Sequence, residues 1–309
     1  MSCCTPSRGA GPRPREDVPQ GPPGLGADML EIPGGVYQLG GDGPECIVAD
    51  GEGPVRAVQV DSFLIDITTV TNRQFSGFVA QTGYVTDAEH FGWSFVFEGL
   101  LAPGTECLAL PPGTTPWWRA VPGAHWRQPC GPAAGRLALP DHPVVHVSWH
   151  DACAFARWAG KRLPTEAQWE VAARGATVGQ TFPWGEALEE GGRRHCNVWQ
   201  GEFPHADRGA DGFTGTTPAL GFEANAYGLF NMLGNVWEWC ADWWSVDWHR
   251  PASPATRLNP LGPQAGQAKV IRGGSWLCHA SYCNRYRLSA RTHNTPHSST
   301  GHMGFRCVL

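Results

Sequence analysis

The spacing of apolar and polar positions divides the chain into three textures. Residues 1 to about 27 are rich in Pro, Gly and Arg and hold hardly a large apolar side chain, so burial cannot offset their ordering entropy and a flexible tail is expected. From Met29 the pattern changes: MLEIPGGVYQLG, then VRAVQVDSFLID at 55–66, alternate apolar and polar residues as strands do. Three later segments switch to helical spacing, each opened by Ser or Thr with an acid or amide three positions on and closed by Gly. Thr71 with Gln74 opens the first, Gly83 closes it, and Phe75, Phe78 and Val79 share a face. Ser148 with Asp151 and Gly160 bound the second, which aligns Phe155 with Trp158. Thr165 with Gln168 and Gly175 bound the third, which aligns Trp169, Ala172 and Ala173. Beyond Gly175 turn-formers recur among Trp and Phe until strands return near AKVIRGGSW and GFRCVL. Loops of that length inside a domain need something to hold them.

Composition narrows the fold. With 40 Gly, 27 Pro and only 17% charged residues in 309, a coiled coil or helical bundle is excluded, while 41% hydrophobic residues and 15 Trp exclude wholesale disorder. No period of 20–50 residues repeats. The expectation is one α+β domain over 28–309, a few helices against a small twisted sheet with a large coil-rich half. A net charge of −5 provides no basic field, so neither nucleic acid nor a membrane is an expected partner. The absence of an 18-residue apolar run or a secretory-type N-terminus points to the cytoplasm, and eleven cysteines, an odd number, point to reduced thiols.

Phosphate-loop, H-E-x-x-H, G-x-S-x-G and C-x-x-C motifs are absent. Cys278 and Cys283 stand five apart in a polar, aromatic stretch, where a turn could bring both sulfurs to one metal. Two thiolates without further ligands suit Cu(I); His279 as a third ligand would suit zinc; two ordinary thiols or a disulfide are the plain alternatives. Two loops suit a hard cation, CNVWQGEFPHADRGADGF with Asn197 and Asp211, and GLFNMLGNVWEWC with Asn231, Asn235 and Glu238, although Asn and Asp also simply make turns.

Taken in order, HPVVHVSWHDACAFARWAGKRLPTEAQWEVAARG, FPWG, NVWQGEFP, YGLFNMLGNVWEW, RGGSWLCHASYCNRYR and NTPHSSTGHMGFRC resemble the formylglycine-generating enzymes, or sulfatase-modifying factors, over roughly residues 29–307. The resemblance implies a variant of the C-type lectin fold with sparse regular structure. It implies an oxidoreductase that converts a cysteine in sulfatase precursors, within C-x-P-x-R, to Cα-formylglycine, with O2 as co-substrate and an external thiol reductant. By position Cys278 and Cys283 match two cysteines that bind Cu(I), with room for a third, incoming sulfur. Ser275 matches a hydroxyl beside them, and Trp237 an indole lining an oxygen pocket. A first structural Ca2+ site would use Asn197 and Asp211 with the carbonyls of Val198 and Phe213; a second would use Asn231 and Glu238 with the carbonyls of Gly234 and Val236. Trp117, Trp118, Tyr282 and Arg285 are expected to line a groove for an unfolded sulfatase-type polypeptide, on a monomer.

The chain departs from the family where His297 follows Asn294, Thr295 and Pro296, and His293 and His302 add imidazoles, which are expected to face solvent. In the tail, Cys4, Thr5, Pro6, Ser7 and Arg8 spell the substrate pattern, by coincidence or as a pseudosubstrate or target. The competing reading is a non-catalytic, C-type-lectin-like, calcium-dependent binding module in which neither cysteine matters. An iron-dependent sulfoxide synthase would need a His-rich helical domain, and none is expected ahead of residue 29.

Overall fold

The computed structural model describes residues 5–9, 18–19, 21, 29–110, 113–135 and 137–309. The alternating N-terminal segments form β1 (Met29–Ile32), β2 (Gly35–Leu39), β3 (Arg56–Val60) and β4 (Phe63–Asp66), with β2 antiparallel to β3 and β1 antiparallel to β4. Next come α1 (Asn72–Thr82), α2 (Asp87–Phe91), and the antiparallel pair β5 (Trp93–Phe97) and β6 (Trp118–Pro122). Helices α3 (Trp149–Trp158) and α4 (Glu166–Arg174) follow. Thr71, Ser148 and Thr165 each form the expected capping box, and Gly83 and Gly175 close α1 and α4 in the left-handed conformation. Helix α2 is capped the same way, by Thr86 and Glu89, but its five residues are too few to show a period.

The coil-rich half carries two-residue pairs, β7 (Glu189–Glu190) with β8 (Arg193–Arg194) and β9 (Gly201–Glu202) with β10 (Ala206–Asp207). The largest sheet among the described residues comprises β11 (Trp237–Trp243), β12 (Lys269–Arg272), β13 (Arg291–Asn294) and β14 (Met303–Gly304), in the order β13-β12-β11-β14. Strand β14 runs parallel to β11 and the other pairs are antiparallel. The apolar faces of α1 and α3 meet through Phe75 and Phe78 against Phe155, with ring centroids 5.9 and 5.6 Å apart. Trp169, Trp237, Trp239 and Phe305 extend that core under the sheet.

Buried ion pairs hold loops that lack ladders. Arg272 lies between Glu166 (2.7 Å) and Glu170 (3.0 Å), Arg287 grips Glu52 (2.6 Å), Lys161 meets Asp66 (2.5 Å), and Arg306 meets Glu238 (2.7 Å). The final residues are sewn into the interior: Leu64 and Leu309 exchange backbone bonds, Asp66 N donates to Cys307 O, and Arg162 and Val308 exchange another pair. No helix among the described residues is long and apolar enough to cross a membrane.

One expectation changes. Most of residues 1–27 lie outside the described residues, Cys4 included, but Thr5–Gly9 are not a free tail: Thr5, Pro6 and Arg8 are buried against the body of the protein.

Candidate functional site

Cys278 and Cys283 are brought together by one tight turn. The carbonyl of His279 accepts from the backbone N–H groups of Tyr282 (3.2 Å), Cys283 (3.0 Å) and Asn284 (3.2 Å), and Asn284 adopts φ 48°, so the chain curls back on itself. Cys278 N donates to Ser275 O at 2.9 Å, which fixes the other arm. The result places the two side chains in hydrogen-bond contact, with no disulfide between them. Burial, and then the neighbouring Cys283 thiol, push the Cys278 thiol well above its ordinary range. Ser275 Oγ lies 3.8 Å from Cys278 Sγ and also accepts from Leu277 N at 3.3 Å, so the hydroxyl is held against the sulfur.

The pair is closed to solvent. Cys278 is 1% exposed and Cys283 2%, so the open position expected for an incoming sulfur is not seen. His279 turns its Nδ1 to Ser281 Oγ at 2.8 Å, and among the described residues no group of three or more His, Cys, Asp and Glu side chains converges. Two soft donors without a third fit a soft, low-coordinate cation better than tetrahedral zinc.

Of the four residues expected to line a groove, two meet. Tyr282 stacks on Phe203 (4.0 Å), and Trp117 sits edge-on to both, at 5.5 Å from Tyr282 and 5.0 Å from Phe203. Tyr282 Oη donates to Leu277 O at 2.5 Å, tying this aromatic cluster to the thiol turn. Trp118 is instead fully enclosed beside His302, and Arg285 is drawn to Asp50 at 2.6 Å, so neither is a groove residue. Trp237 is fully buried on β11, and its indole N–H has no hydrogen-bond partner. The histidines do not face open solvent: His302 is buried and bonded to Thr300 Oγ1 (2.6 Å), His293 stacks on Trp244 (4.6 Å), and His297 packs on His150 (4.6 Å).

The two acidic loops lie back to back beneath this turn. Asn235 N donates to Asn197 O (2.8 Å), while Trp276 N donates to Asn235 O (2.9 Å) and Trp199 N to Cys278 O (3.1 Å). One run of backbone hydrogen bonds thus joins both loops to the cysteines. Asp211 Oδ1 accepts from Phe213 N, whereas its Oδ2 is buried without a partner, and burial raises the carboxyl above its ordinary range. Asn231 gives its amide hydrogens to Ala219 O (2.9 Å) and Pro218 O (3.3 Å), leaving a buried Oδ1 unpartnered. Orphaned buried oxygens on Asp211 and Asn231 are the donors a hard cation takes, so both loops fit calcium. Val198 and Phe213 lie on the first loop, and Gly234 and Val236 on the second. Asn197 donates its Nδ2 to Gly215 O (2.8 Å), which fixes the amide plane and leaves Oδ1 to act as an acceptor or ligand. Glu238 departs from the expectation: Oε2 accepts from Arg306 Nε (2.7 Å) and Trp169 Nε1 (2.8 Å), and Oε1 from Arg306 Nη2 (2.8 Å). It is first the anionic half of an ion pair, with one spare lone pair on Oε1.

Sequence reasoning missed Phe91, Trp93 and Ser298, which hold the docked N-terminal residues. A short helix end and a serine in a loop carry no periodic signal.

Comparison with known proteins places this geometry. A family model described as the sulfatase-modifying factor enzyme 1-like domain matches residues 14–309. A formylglycine-generating enzyme of Thermomonospora curvata is 58% identical over 293 residues, 94% of this chain and 97% of that one. Its namesake from Bos taurus is 50% identical, over 94% of this chain and 77% of that one. A Mus musculus protein named inactive C-alpha-formylglycine-generating enzyme 2 is 43% identical, over 91% and 85%. The solved structure of PvdO from Pseudomonas aeruginosa superposes with a TM-score of 0.67 at 23% identity, covering 92% of this chain and 95% of that one, a likeness of fold.

Proposed function

The chain belongs to the sulfatase-modifying factor family, and on that premise we propose that it is a formylglycine-generating enzyme that oxidises a cysteine within C-x-P-x-R of an unfolded sulfatase-type polypeptide to Cα-formylglycine. The observation that carries the reading is the contact between Cys278 and Cys283, with no cluster of three or more His, Cys, Asp and Glu side chains among the described residues. These sulfurs would hold Cu(I), which when bound supplies the redox chemistry that lets dioxygen react. The cysteine carbon gives up two electrons, dioxygen takes four, and an external thiol supplies the other two, with sulfur leaving as sulfide and the second oxygen as water.

The chain's own residues do the rest. The His279-centred turn sets the sulfur separation, and Ser275 Oγ holds a proton beside Cys278 Sγ. Trp237, enclosed and with its N–H unspent, would be the indole that keeps bulk water from the reacting atoms. Trp117 and Tyr282 offer flat apolar faces to an extended peptide. Calcium in the loops of Asp211 and Asn231 would act structurally, through the run of backbone hydrogen bonds that ends at Cys278. The nine described cysteines form no disulfide with one another, which supports a reducing compartment such as the cytoplasm.

The test is a C-x-P-x-R peptide incubated under air with copper-loaded protein and a thiol, read by mass spectrometry; a loss of about 18 Da at the cysteine is expected. Cys278→Ser or Cys283→Ser should abolish it, and conversion retained by either variant overturns the mechanism. The near-complete enclosure of both sulfurs favours a second reading, a calcium-dependent binding module. That module predicts no mass change, and ligand binding that follows calcium and ignores both substitutions.

A further inference from the structure

Thr5 to Arg8 run across a surface built by the segment 293–298 and the start of β5. Thr5 Oγ1 donates to His293 O (3.2 Å), and Asn294 grips two successive residues, its Nδ2 donating to Pro6 O (3.1 Å) and its Oδ1 accepting from Ser7 Oγ (2.8 Å). Arg8 N donates to Ser298 Oγ (2.6 Å), and Arg8 O accepts from Thr295 Oγ1 (2.8 Å). The Arg8 guanidinium lies 4.3 Å from the Phe91 ring centroid and 4.0 Å from that of Trp93, and donates to Trp93 O at 2.5 Å. Asp87 and Asp151 lend it opposite charge. These contacts read the Arg8 amide and carbonyl, a proline carbonyl and an arginine side chain, each with its own partner. Such a set of partners recognises a peptide.

We infer that Thr5–Arg8 is an intramolecular occupant of a peptide-binding groove, so that the chain's own terminus competes with any external peptide carrying Pro-x-Arg. The groove adjoins the thiol turn: Trp276, two residues before Cys278, donates its indole N–H to Gly301 O (3.4 Å), three residues past Ser298. Arg8 is 3% exposed, yet its Nε and Nη1 are buried without partners, so its burial is less favourable than a fully bonded guanidinium's would be and the occupant is displaceable. The terminus is also close at hand, since Gly21 N is bonded to Trp158 O (2.7 Å) and pins the tether midway. An effective concentration of about 1 mM follows for so short a tether. Cys4 lies outside the described residues, and occupancy needs nothing from it. The nature of the external peptide rests on the function proposed above; the occupancy rests on the contacts alone.

The test is fluorescence anisotropy of a labelled Ser-Thr-Pro-Ser-Arg peptide, in which Ser stands for the oxidisable Cys, against the full chain and a form lacking residues 2–9. For a peptide that binds the truncated form at about 100 μM, removal of the competitor tightens binding about tenfold. Arg8→Ala in the full chain should reproduce most of that gain, and Ser298→Ala in the truncated form should weaken binding several-fold. Equal affinity in full and truncated chains overturns the inference, as does loss of binding on truncation or a peptide that binds neither form. The readout needs neither copper nor turnover, so it stands or falls apart from the oxidation assay.

Discussion

Replacing Arg306 by Met tests whether buried ionic contacts hold this loop-rich fold together. Arg306 is fully enclosed; its Nε and Nη2 serve both oxygens of Glu238, and its remaining hydrogens reach the carbonyls of Asp66, Ile67 and Phe230. Methionine fills the volume but leaves Glu238 a buried carboxylate with Trp169 Nε1 as its remaining donor. Breaking one side of a buried pair costs about 3–5 kcal/mol. At about 2–3 °C per kcal/mol for a domain of this size, the melting temperature should fall by about 6–15 °C. The assay is urea unfolding and calorimetry of Arg306→Met, Glu238→Gln and the double variant. The double should be less damaged than the sum of the singles, by a coupling of about 2–3 kcal/mol. A loss under about 1 kcal/mol for Arg306→Met, or a coupling near zero, would refute the reasoning.

His146 provides a pH test: its ring is fully buried, accepting from Ser94 Oγ and donating to Pro129 O (2.8 Å each), and burial lowers its pKa from 6.5 to about 3. A depressed histidine contributes stability that is whole above its unfolded pKa and lost as pH falls, so about 2 kcal/mol should disappear between pH 6.5 and 5. Urea midpoints at those two pH values should converge in His146→Gln; an unchanged slope would sink the assignment. Gly234 sits at φ 74°, and a Cβ there would come 2.4 Å from Asn197 O, so Gly234→Ala should cost more than about 2 kcal/mol in thermal or urea unfolding. Wild-type stability in that variant would mean the two loops are not in such close approach. Chelation of calcium should lower the melting temperature, and Asp211→Asn with Asn231→Ala should remove that sensitivity; insensitivity of the wild type to chelators would discard both sites.

What the sequence made legible was local. Thr71, Ser148 and Thr165 announce their helices because a cap and its partner lie three residues apart, and the Cys278–Cys283 turn is similarly compact. Thr86 carries the same cap but heads a single turn, so periodicity could not vouch for it. Ionic contacts stayed hidden because their halves are remote: Arg287 and Glu52 are 235 positions apart, and Arg306 and Glu238 are 68. For the same reason Glu238 looked available as a ligand, and Arg285 as a groove residue, before Arg306 and Asp50 claimed them. Trp117 and Trp118 are neighbours in sequence, yet Trp118 opens β6 and is buried, whereas Trp117 stays in the turn before it, half-buried beside Tyr282.

Because residues 303–309 bond directly to β4, β11 and Arg162, elements more than sixty positions apart share one closing seam, and the interior cannot close until that seam forms. In a growing polypeptide the core that holds Trp169, Trp237 and Trp239 would therefore stay incomplete until Phe305, Cys307 and Val308 have joined it.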